Sequence, residues 1–397
     1  MTTEELLSRT FTEVTETSDY PYTPVEVVAA RAATIRRRHR RTASLVAAAA
    51  LVVAGGSAAA WLHGRGSTPG PSHPTPLGSL PDLPMSGAPR VGLVSGDVYL
   101  AASGQRVTSA RISTALTFAP DGSGVLLASD QTGHLTLWQV ATDGSTTKVG
   151  CGTQTFAIDG DTPTYWVSDD CGLHGAGSLV TGTTRQATAR AMSYSPVGRV
   201  GGGIVADSGP TFPGQGSAGS RADAQVAGSV VVAADGTVTK IPGLTIVQDA
   251  TTAGDLVLGV NGYDRSRVVD ATTGDVRWTA DTWSLGAFSS SGRYTSGYQE
   301  VGRQTSPGVG DVVAAWDSAT GRQVMRLVLP GMVLRSTPVW EGDSAMLVVV
   351  EDLERQEAVL RVGLDGSATR ATPVLPGTEL HRLGYRLAGA EPLTPSG

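Results

Sequence analysis

The chain has 397 residues, of which only 17% are charged, and it contains 51 glycines and 22 prolines. This composition favours a turn-rich all-β protein over a helical or disordered one. Residues 1–41 carry seven arginines and six acids, whereas the remainder carries 23 basic and 30 acidic residues, a net charge of −7. A body of this charge repels phosphate backbones, which argues against nucleic-acid binding by the main domain.

The N-terminal tail, residues 1–41, contains two predicted short amphipathic helices. In the first, Leu7, Phe11 and Val14 share one helical face. The second has Pro24 at its first helical position, where a missing N–H costs nothing. An apolar face on a short helix is a predicted contact surface for a cytoplasmic partner, although helices of this kind also lie on membranes or self-associate.

Residues 42–62 form a run of 21 residues without a charged side chain. About 20 helical residues cross the hydrocarbon core of a bilayer. Five arginines within residues 36–41 adjoin the N-terminal end of this run, and the positive-inside rule then puts the tail in the cytoplasm. We therefore expect a single-pass membrane protein with residues 63–397 outside the cytoplasm.

Two alternatives for this apolar run stay open. Residues 57–60 are small, as residues before a signal-peptidase site are, but 41 residues precede the run and signal peptides total about 15–30. A buried core helix is the other alternative, and it leaves the arginine cluster unexplained.

Residues 63–89 are rich in proline, glycine and serine. We expect this segment to remain unfolded and to act as a stiff spacer between the membrane and the main domain.

Short β-branched runs separated by glycine turns repeat through residues 90–390. The turn glycines follow one another at intervals of 38 to 54 residues, and they are Gly104, Gly144, Gly182, Gly236, Gly274, Gly321 and Gly366. A second series of turns lies between them, so each repeat of about 40 residues contains four strands. Four-stranded repeats of this length predict the blades of a seven-bladed β-propeller.

The two ends of this region complement each other. Residues 90–112 supply three strands without an inner strand, and residues 379–388 supply one strand with no turn after it. Pairing the last strand with the first three closes the ring and removes an open sheet edge, which leaves residues 391–397 as a C-terminal tail. The alternative is a pair of irregular β-sandwiches, which would not keep the spacing.

One repeat carries a docking motif. Asp270, Thr273, Gly274 and Trp278 resemble the D-x-x-T-G-x-x-x-W pattern of quinoprotein-type, or PQQ-like, propellers, and a weaker copy begins at Asp317. The resemblance implies that Thr-Gly sets the turn and that the tryptophan packs between blades. Other repeats, such as "APDGSG" and "LTLWQV", look WD40-like. No cofactor is implied, because the paired adjacent cysteines of the quinone dehydrogenases are absent.

The tail, arginine cluster and apolar run together resemble the N-termini of membrane proteins of GC-rich bacteria that are encoded beside extracytoplasmic-function sigma factors. In such proteins the cytoplasmic helices hold the sigma factor. The zinc-binding H-x-x-x-C-x-x-C motif of many anti-sigma domains is missing, because residues 1–62 contain no cysteine.

Catalytic motifs are absent from the sequence. The six histidines are scattered without metal-ligand spacing, and neither a nucleophile elbow nor a P-loop occurs. The sequence therefore predicts a protein that is not an enzyme and holds no cofactor or resident metal.

A propeller binds ligands most often at the face where the second and third strands of each blade are joined. Seven charged residues in these loops form the predicted ligand face: Asp130, Asp170, Asp264, Arg265, Arg303, Glu351 and Asp352. This face would suit a cationic partner or a metal, and the alternative is ordinary solvated loop charge.

The two cysteines, Cys151 and Cys171, lie on the predicted extracytoplasmic side, where disulfides persist. A hairpin turning near residues 160–163 would bring them opposite each other, within reach of a disulfide. Two buried free thiols are the alternative.

Taken together, the sequence predicts a membrane-anchored, non-enzymatic propeller that binds a protein, a glycan or another envelope component. A regulator whose tail holds a sigma factor is one alternative. A propeller hydrolase or a quinoprotein is the other.

Overall fold

The computed structural model describes residues 77–122, 124–131, 134–152, 156–159, 162–168, 177–182, 184–188, 194–208, 228–261, 265–301, 310–376, 384–391 and 393. The chain divides into two compact parts, residues 1–72 and residues 73–397, and every described residue belongs to the second part. Within the described residues, no helix has the length and hydropathy needed to span a bilayer. The predicted tail helices and the apolar run at residues 42–62 lie outside this part of the chain.

The described chain is almost entirely β-structure, organised by glycine turns. All seven glycines that were predicted to make turns have φ between +54° and +85°. Glycine adopts this left-handed conformation at no steric cost, so each glycine reverses the chain between two antiparallel strands. The all-β prediction is confirmed. We call each group of four successive antiparallel strands a unit, and these turns separate the third and fourth strands of successive units.

The first sheet joins the two ends of the domain. Its order is β29-β1-β2-β3, and its strands are β1 (Leu93–Ser95), β2 (Val98–Leu100), β3 (Arg106–Thr108) and β29 (Tyr385–Leu387). The last strand pairs antiparallel with the first, with Val94 opposite Arg386. The predicted closure by the N- and C-terminal strands is confirmed. A short helix, α1 (Ala110–Thr114), follows β3.

The second sheet contains eight strands in the order β11-β10-β9-β7-β6-β5-β4, with β8 paired to β9. The strands are β4 (Thr117–Asp121), β5 (Gly124–Gln131), β6 (His134–Ala141), β7 (Thr146–Gly152), β8 (Ala157–Asp159), β9 (Thr162–Ser168), β10 (Gly177–Thr181) and β11 (Thr184–Thr188). The hairpin predicted near residues 160–163 is present as β8–β9, with Asp159 opposite Thr162.

Cys151 does not lie on this hairpin, contrary to the prediction. It belongs to β7, the fourth strand of the preceding unit, and there it pairs with both Thr136 and Ser168. The irregular β7–β9 pairing, which links the fourth strand of one unit to the second strand of the next, places it there. The sequence could not show this link, because it joins strands of two successive units and not the two strands of one hairpin.

The third sheet also has eight strands, in the order β15-β14-β13-β12-β16-β17-β18-β19. They are β12 (Tyr194–Val200), β13 (Gly203–Ser208), β14 (Gly228–Val232), β15 (Val238–Lys240), β16 (Ile246–Thr251), β17 (Leu256–Val260), β18 (Ser266–Asp270) and β19 (Val276–Ala280). The two first strands, β12 and β16, run parallel and meet at Gly198 and Ala250. A side chain at Gly198 would lie 2.6 Å from the Ala250 nitrogen, so only glycine permits this approach.

The last two sheets complete the domain. The fourth has the order β20-β21-β22-β23, and the fifth has the order β24-β26-β27-β28 with β25 paired to β26. Their strands are β20 (Ser284–Phe288), β21 (Tyr294–Gln299), β22 (Val312–Asp317), β23 (Gln323–Val328), β24 (Met332–Leu334), β25 (Val339–Glu341), β26 (Ala345–Asp352), β27 (Glu357–Gly363) and β28 (Ala368–Arg370). Successive antiparallel units closed by the terminal strands make this domain a β-propeller.

Residues 77–90, which we call the strap, fold onto the fifth sheet. A 3₁₀ helix, Leu80–Asp82, opens the strap. Leu80 is 0% exposed and Leu83 is 6% exposed, and both join the core between the fourth and fifth sheets. The prediction of an unfolded spacer is therefore wrong for residues 77–89. The leucines of this segment are spaced among prolines and follow neither a helical nor a strand period. Its composition therefore suggested an unfolded linker.

The C-terminal segment also packs on the fifth sheet. Thr337 and Glu391 bond to each other twice, through the Thr337 N–H and the Thr337 hydroxyl, and Leu393 donates its N–H to the carbonyl of Arg335 at 2.9 Å. Part of the predicted tail at residues 391–397 is thus ordered against the domain.

Candidate binding face

The strand directions define one end of the propeller as the natural place for a site. Because the four strands of each unit run antiparallel, each first strand begins at the end where the second and third strands are joined. We call this end the loop face. The turns between the third and fourth strands lie at the opposite end.

The loop face carries most of the exposed large apolar side chains in the described part of the chain. Leu116 and Ile246 stand at the beginning of first strands, and Val301 and Leu353 follow second strands. Their exposed fractions are 53%, 51%, 39% and 55%. The other two such residues, Met85 and Val276, lie on the strap and at the start of β19. The exposed apolar surface is therefore concentrated at one end.

Glu351 lies beneath the loop face and does not project from it. It is the penultimate residue of β26, is 2% exposed, and stands opposite Glu357. Its carboxylate pairs with Nε of Arg335 at 3.5 Å and with a guanidinium nitrogen of Arg355 at 3.7 Å. A buried carboxylate needs such partners. Glu351 was predicted to face a ligand. In the structure its carboxylate is buried and paired with Arg335 and Arg355 of the same chain.

Asp352 shapes the loop that follows β26. Its Oδ1 accepts the N–H groups of Glu354 at 2.9 Å and Gln356 at 2.8 Å. These bonds hold the turn that presents Leu353 to solvent. The Asp352 carboxylate therefore stabilises its own turn by hydrogen bonds to the backbone.

Among the described members of the predicted ligand face, Arg265 has a side chain that extends into solvent. It pairs with Asp281 at 3.0 Å, and both side chains are more than half exposed. Exposed pairs of this kind contribute little to stability, so the pair can open toward a partner. Asp130 lies near the end of β5 opposite Leu135. Asp170, Asp264 and Arg303 lie outside the described residues.

Polar side chains at the beginning of third strands connect each unit to the next. The Ser266 hydroxyl accepts the N–H of Leu285 at 3.3 Å, and the Asp311 carboxylate accepts the N–H of Leu334 at 2.8 Å. In the same way, the Glu357 carboxylate accepts the N–H of Tyr385. These bonds fix the first strand of the next unit directly below the loop face. They join residues far apart in the chain, so they could not be predicted from the sequence.

Two aspartates of the third sheet make similar bonds, one within that sheet and one to the fourth sheet. Asp207 accepts the N–H of Val247 at 3.2 Å, and Asp249 accepts the N–H of Phe288 at 2.6 Å. Burial raises the pKa of Asp207 to about 6, and burial raises the pKa of Asp249 to about 7. Burial likewise raises the pKa of Glu357 to about 7. These carboxyls serve the joints between units.

The docking motif lies at the opposite end from the loop face. The Asp270 carboxylate accepts the N–H groups of Thr272 and Thr273 and pairs with Arg277. Gly274 has φ +74°, as the turn requires.

Trp278 then reaches across to the fourth sheet. It donates Nε1–H to the carbonyl of Ser318 at 2.7 Å and stacks on Trp316. The tryptophan therefore packs between successive units, as the motif implies.

Two further predictions concern metals and cysteines. Among the described residues, no group of three or more histidine, cysteine or acidic side chains could hold a metal ion. Cys151 is buried and is not a free thiol. Its predicted partner Cys171 lies outside the described residues, so the Cys151–Cys171 disulfide stays a prediction.

Sequence reasoning missed the apolar residues of the loop face. Leu353 follows Glu351 and Asp352 and precedes Glu354, and Val301 follows Glu300. An apolar side chain inside a charged turn cannot reach the core. Its presence there is the sequence feature that could have predicted an exposed apolar surface.

No protein-family model matches the chain, and a search of curated proteins finds no match. Among solved structures, BamB from Moraxella catarrhalis is 14% identical at a TM-score of 0.32, covering 64% of this chain and 92% of its own. The WD40 domain of Toxoplasma gondii coronin is 11% identical at 0.41, covering 73% and 77%. The acylaminoacyl peptidase of Pyrococcus horikoshii is 12% identical at 0.41, covering 70% and 47%. Strand order and closure carry the fold assignment.

Proposed function

We propose that this chain is a membrane-anchored, extracytoplasmic seven-bladed propeller that binds a protein partner through the loop face and catalyses no reaction. The blade number is supported by the seven turn glycines and by the terminal strands that share one sheet. The anchor and its orientation are supported by the uncharged run at residues 42–62 and the adjoining arginines.

The observation that carries the proposal is the position of the exposed apolar residues. Leu116, Ile246, Val301 and Leu353 all lie at the end where ordinary solvated loops would expose polar side chains. Exposed apolar side chains rimmed by charges are typical of protein interaction surfaces. The rim here includes Arg265, whose only described ion pair is exposed.

Site-specific photo-crosslinking in living cells tests this proposal. A photoreactive residue at Leu353 or Val301 should give a protein adduct that is lost when Ile246 is changed to Asp. Val276 is the matched control, because it is also apolar and 47% exposed but lies at the opposite end. Equal adducts at Val276 and Leu353 would contradict a specific face. An adduct removed by glycosidase and not by protease would favour the glycan alternative.

A further inference from the structure

The strap occupies the edge of the fifth sheet as an added strand. The Arg370 N–H bonds to the carbonyl of Pro84 at 2.8 Å, and the Ser86 N–H bonds to the carbonyl of Arg370 at 2.7 Å. Met85 and Arg370 thereby form a parallel bridge. Arg370 also donates Nε–H to the carbonyl of Leu83 at 2.8 Å. This is the geometry in which an extended peptide adds to a sheet edge.

Two apolar anchors and one arginine complete the arrangement. Leu80 and Leu83 fill a groove lined by core residues of the fourth and fifth sheets. Removal of these apolar side chains from water favours the bound position of the strap. At the other end, the Arg361 guanidinium donates to the carbonyls of Gly87 at 2.9 Å and Ala88 at 3.0 Å, and it is held by Glu341 at 2.8 Å.

All of these contacts come from one short segment that is far in sequence from its partners. Ser86 and Arg370 are 284 residues apart, and Arg361 and Gly87 are 274 apart. The strap continues into β1, which begins at Leu93, so only residues 91 and 92 separate it from the first sheet. A contiguous segment bound through edge hydrogen bonds, two apolar anchors and a guanidinium clamp has the form of a bound peptide ligand.

We propose that the edge of the fifth sheet is a peptide-binding site whose occupant is the strap, and that the strap of a second copy of this chain can fill it. The ligand class is a peptide with two leucines three residues apart, the first in a 3₁₀ turn, followed by an extended Pro-Met-Ser segment, as in residues 80–86. A strap in its own chain competes at an effective concentration in the mM range. Exchange between copies therefore depends on release of the strap within one chain. This inference does not rest on the proposed function of the loop face.

A synthetic peptide of residues 77–90 tests the site on the full-length protein in detergent. The variant Leu80→Ser with Leu83→Ser weakens the strap and leaves the groove intact. It should keep cooperative unfolding and bind the labelled peptide at least about 10-fold more tightly than the wild type, because the wild-type strap competes. The same peptide with both leucines changed to serine should not bind. A folded double variant that fails to bind the peptide, or a double variant that loses cooperative unfolding, would overturn the proposal.

Exchange between copies is tested by complementation. Arg361→Gln removes the guanidinium clamp from the binding site and leaves the strap intact, so this variant is a donor, whereas the double leucine variant is an acceptor. A mixture of the two should form a heterodimer on size-exclusion chromatography with light scattering, and each variant alone should be monomeric. Peptide binding without heterodimer formation would overturn the second copy as occupant, since the groove would then be filled only within one chain.

Discussion

At the scale of single residues, the contact between Trp278 and the next sheet is the most directly testable feature. Gly321 has φ +69°, and a Cβ placed on it would lie 2.6 Å from Cγ of Trp278. Gly366 has φ +80° in the corresponding turn, and a Cβ there would meet nothing within 4 Å. The two glycines therefore share the conformational demand and differ only in their neighbour.

Substitution of Gly366 and of Gly321 by alanine distinguishes the cost of backbone strain from the cost of disturbing the Trp278 contact. Gly366→Ala should lower the free energy of unfolding by about 1 kcal/mol, the cost of a left-handed alanine. Gly321→Ala should cost about 1–3 kcal/mol more, because the methyl group displaces the Trp278 ring. Urea unfolding of both variants measures the difference. Equal losses would show that Trp278 does not dock tightly on this turn.

The buried carboxyls predict an unusual dependence of stability on pH. Burial raises the pKa of Asp249 and of Glu357 to about 7, and that of Asp207 to about 6. Unfolded carboxyls titrate near pH 4, so the folded state binds more protons between about pH 4 and 7. Their contribution to stability is complete below pH 4 and is lost as the pH rises through 6–7.

We therefore expect the free energy of unfolding to fall between pH 5 and pH 8, by roughly a few kcal/mol in total. Groups whose pKa is lowered, such as Asp270 and Asp365, oppose this trend only below about pH 4. Denaturant titrations at pH 5, 6, 7 and 8 measure the slope. Asp249→Asn should flatten it, and an unchanged slope in that variant would assign the effect to other groups.

At the scale of elements, closure of the ring depends on more than strand pairing. Arg386 on β29 is mostly buried, and it donates to the carbonyls of Ile112, at 2.7 Å, and Ala115 at the end of α1. Desolvation lowers the pKa of this guanidinium. Carbonyls at a helix end attract a cation, so α1 provides a receptor for the closing strand. The closing strand was predicted from the sequence, but the hydrogen bonds from Arg386 to α1 were not.

The strands were predictable because their turns have local causes. A glycine at positive φ acts on its own neighbours in the chain, and so the positions of Gly104 and Gly366 predict two hairpins that the structure contains. The closing strand was predictable from the missing inner strand. Both inferences need only the order of residues along the chain.

The strap and Glu351 were not predictable, because their environments are made by distant residues. Leu80 is buried by β-strands more than 200 residues away. Glu351 is enclosed by Arg335 and Arg355, and only the fold brings Arg335 to it. Long-range contacts of this kind leave no trace in local composition or periodicity.

At the scale of the whole molecule, the folded strap shortens the segment between the proposed membrane span and the propeller. Only residues 63–76 separate the proposed span from the first described residue. Fourteen fully extended residues reach at most about 50 Å.

The orientation of the chain is the last prediction, and it follows from the arginines within residues 36–41. The positive-inside rule keeps this cluster in the cytoplasm, so the end of the chain at Gly397 should lie on the other side. A reporter enzyme that matures only outside the cytoplasm should be active when fused after Gly397 and inactive when fused after Ile35. Cytoplasmic activity after Gly397 would contradict the arrangement. Release of the propeller as soluble protein would instead show that the apolar run is a cleaved signal peptide.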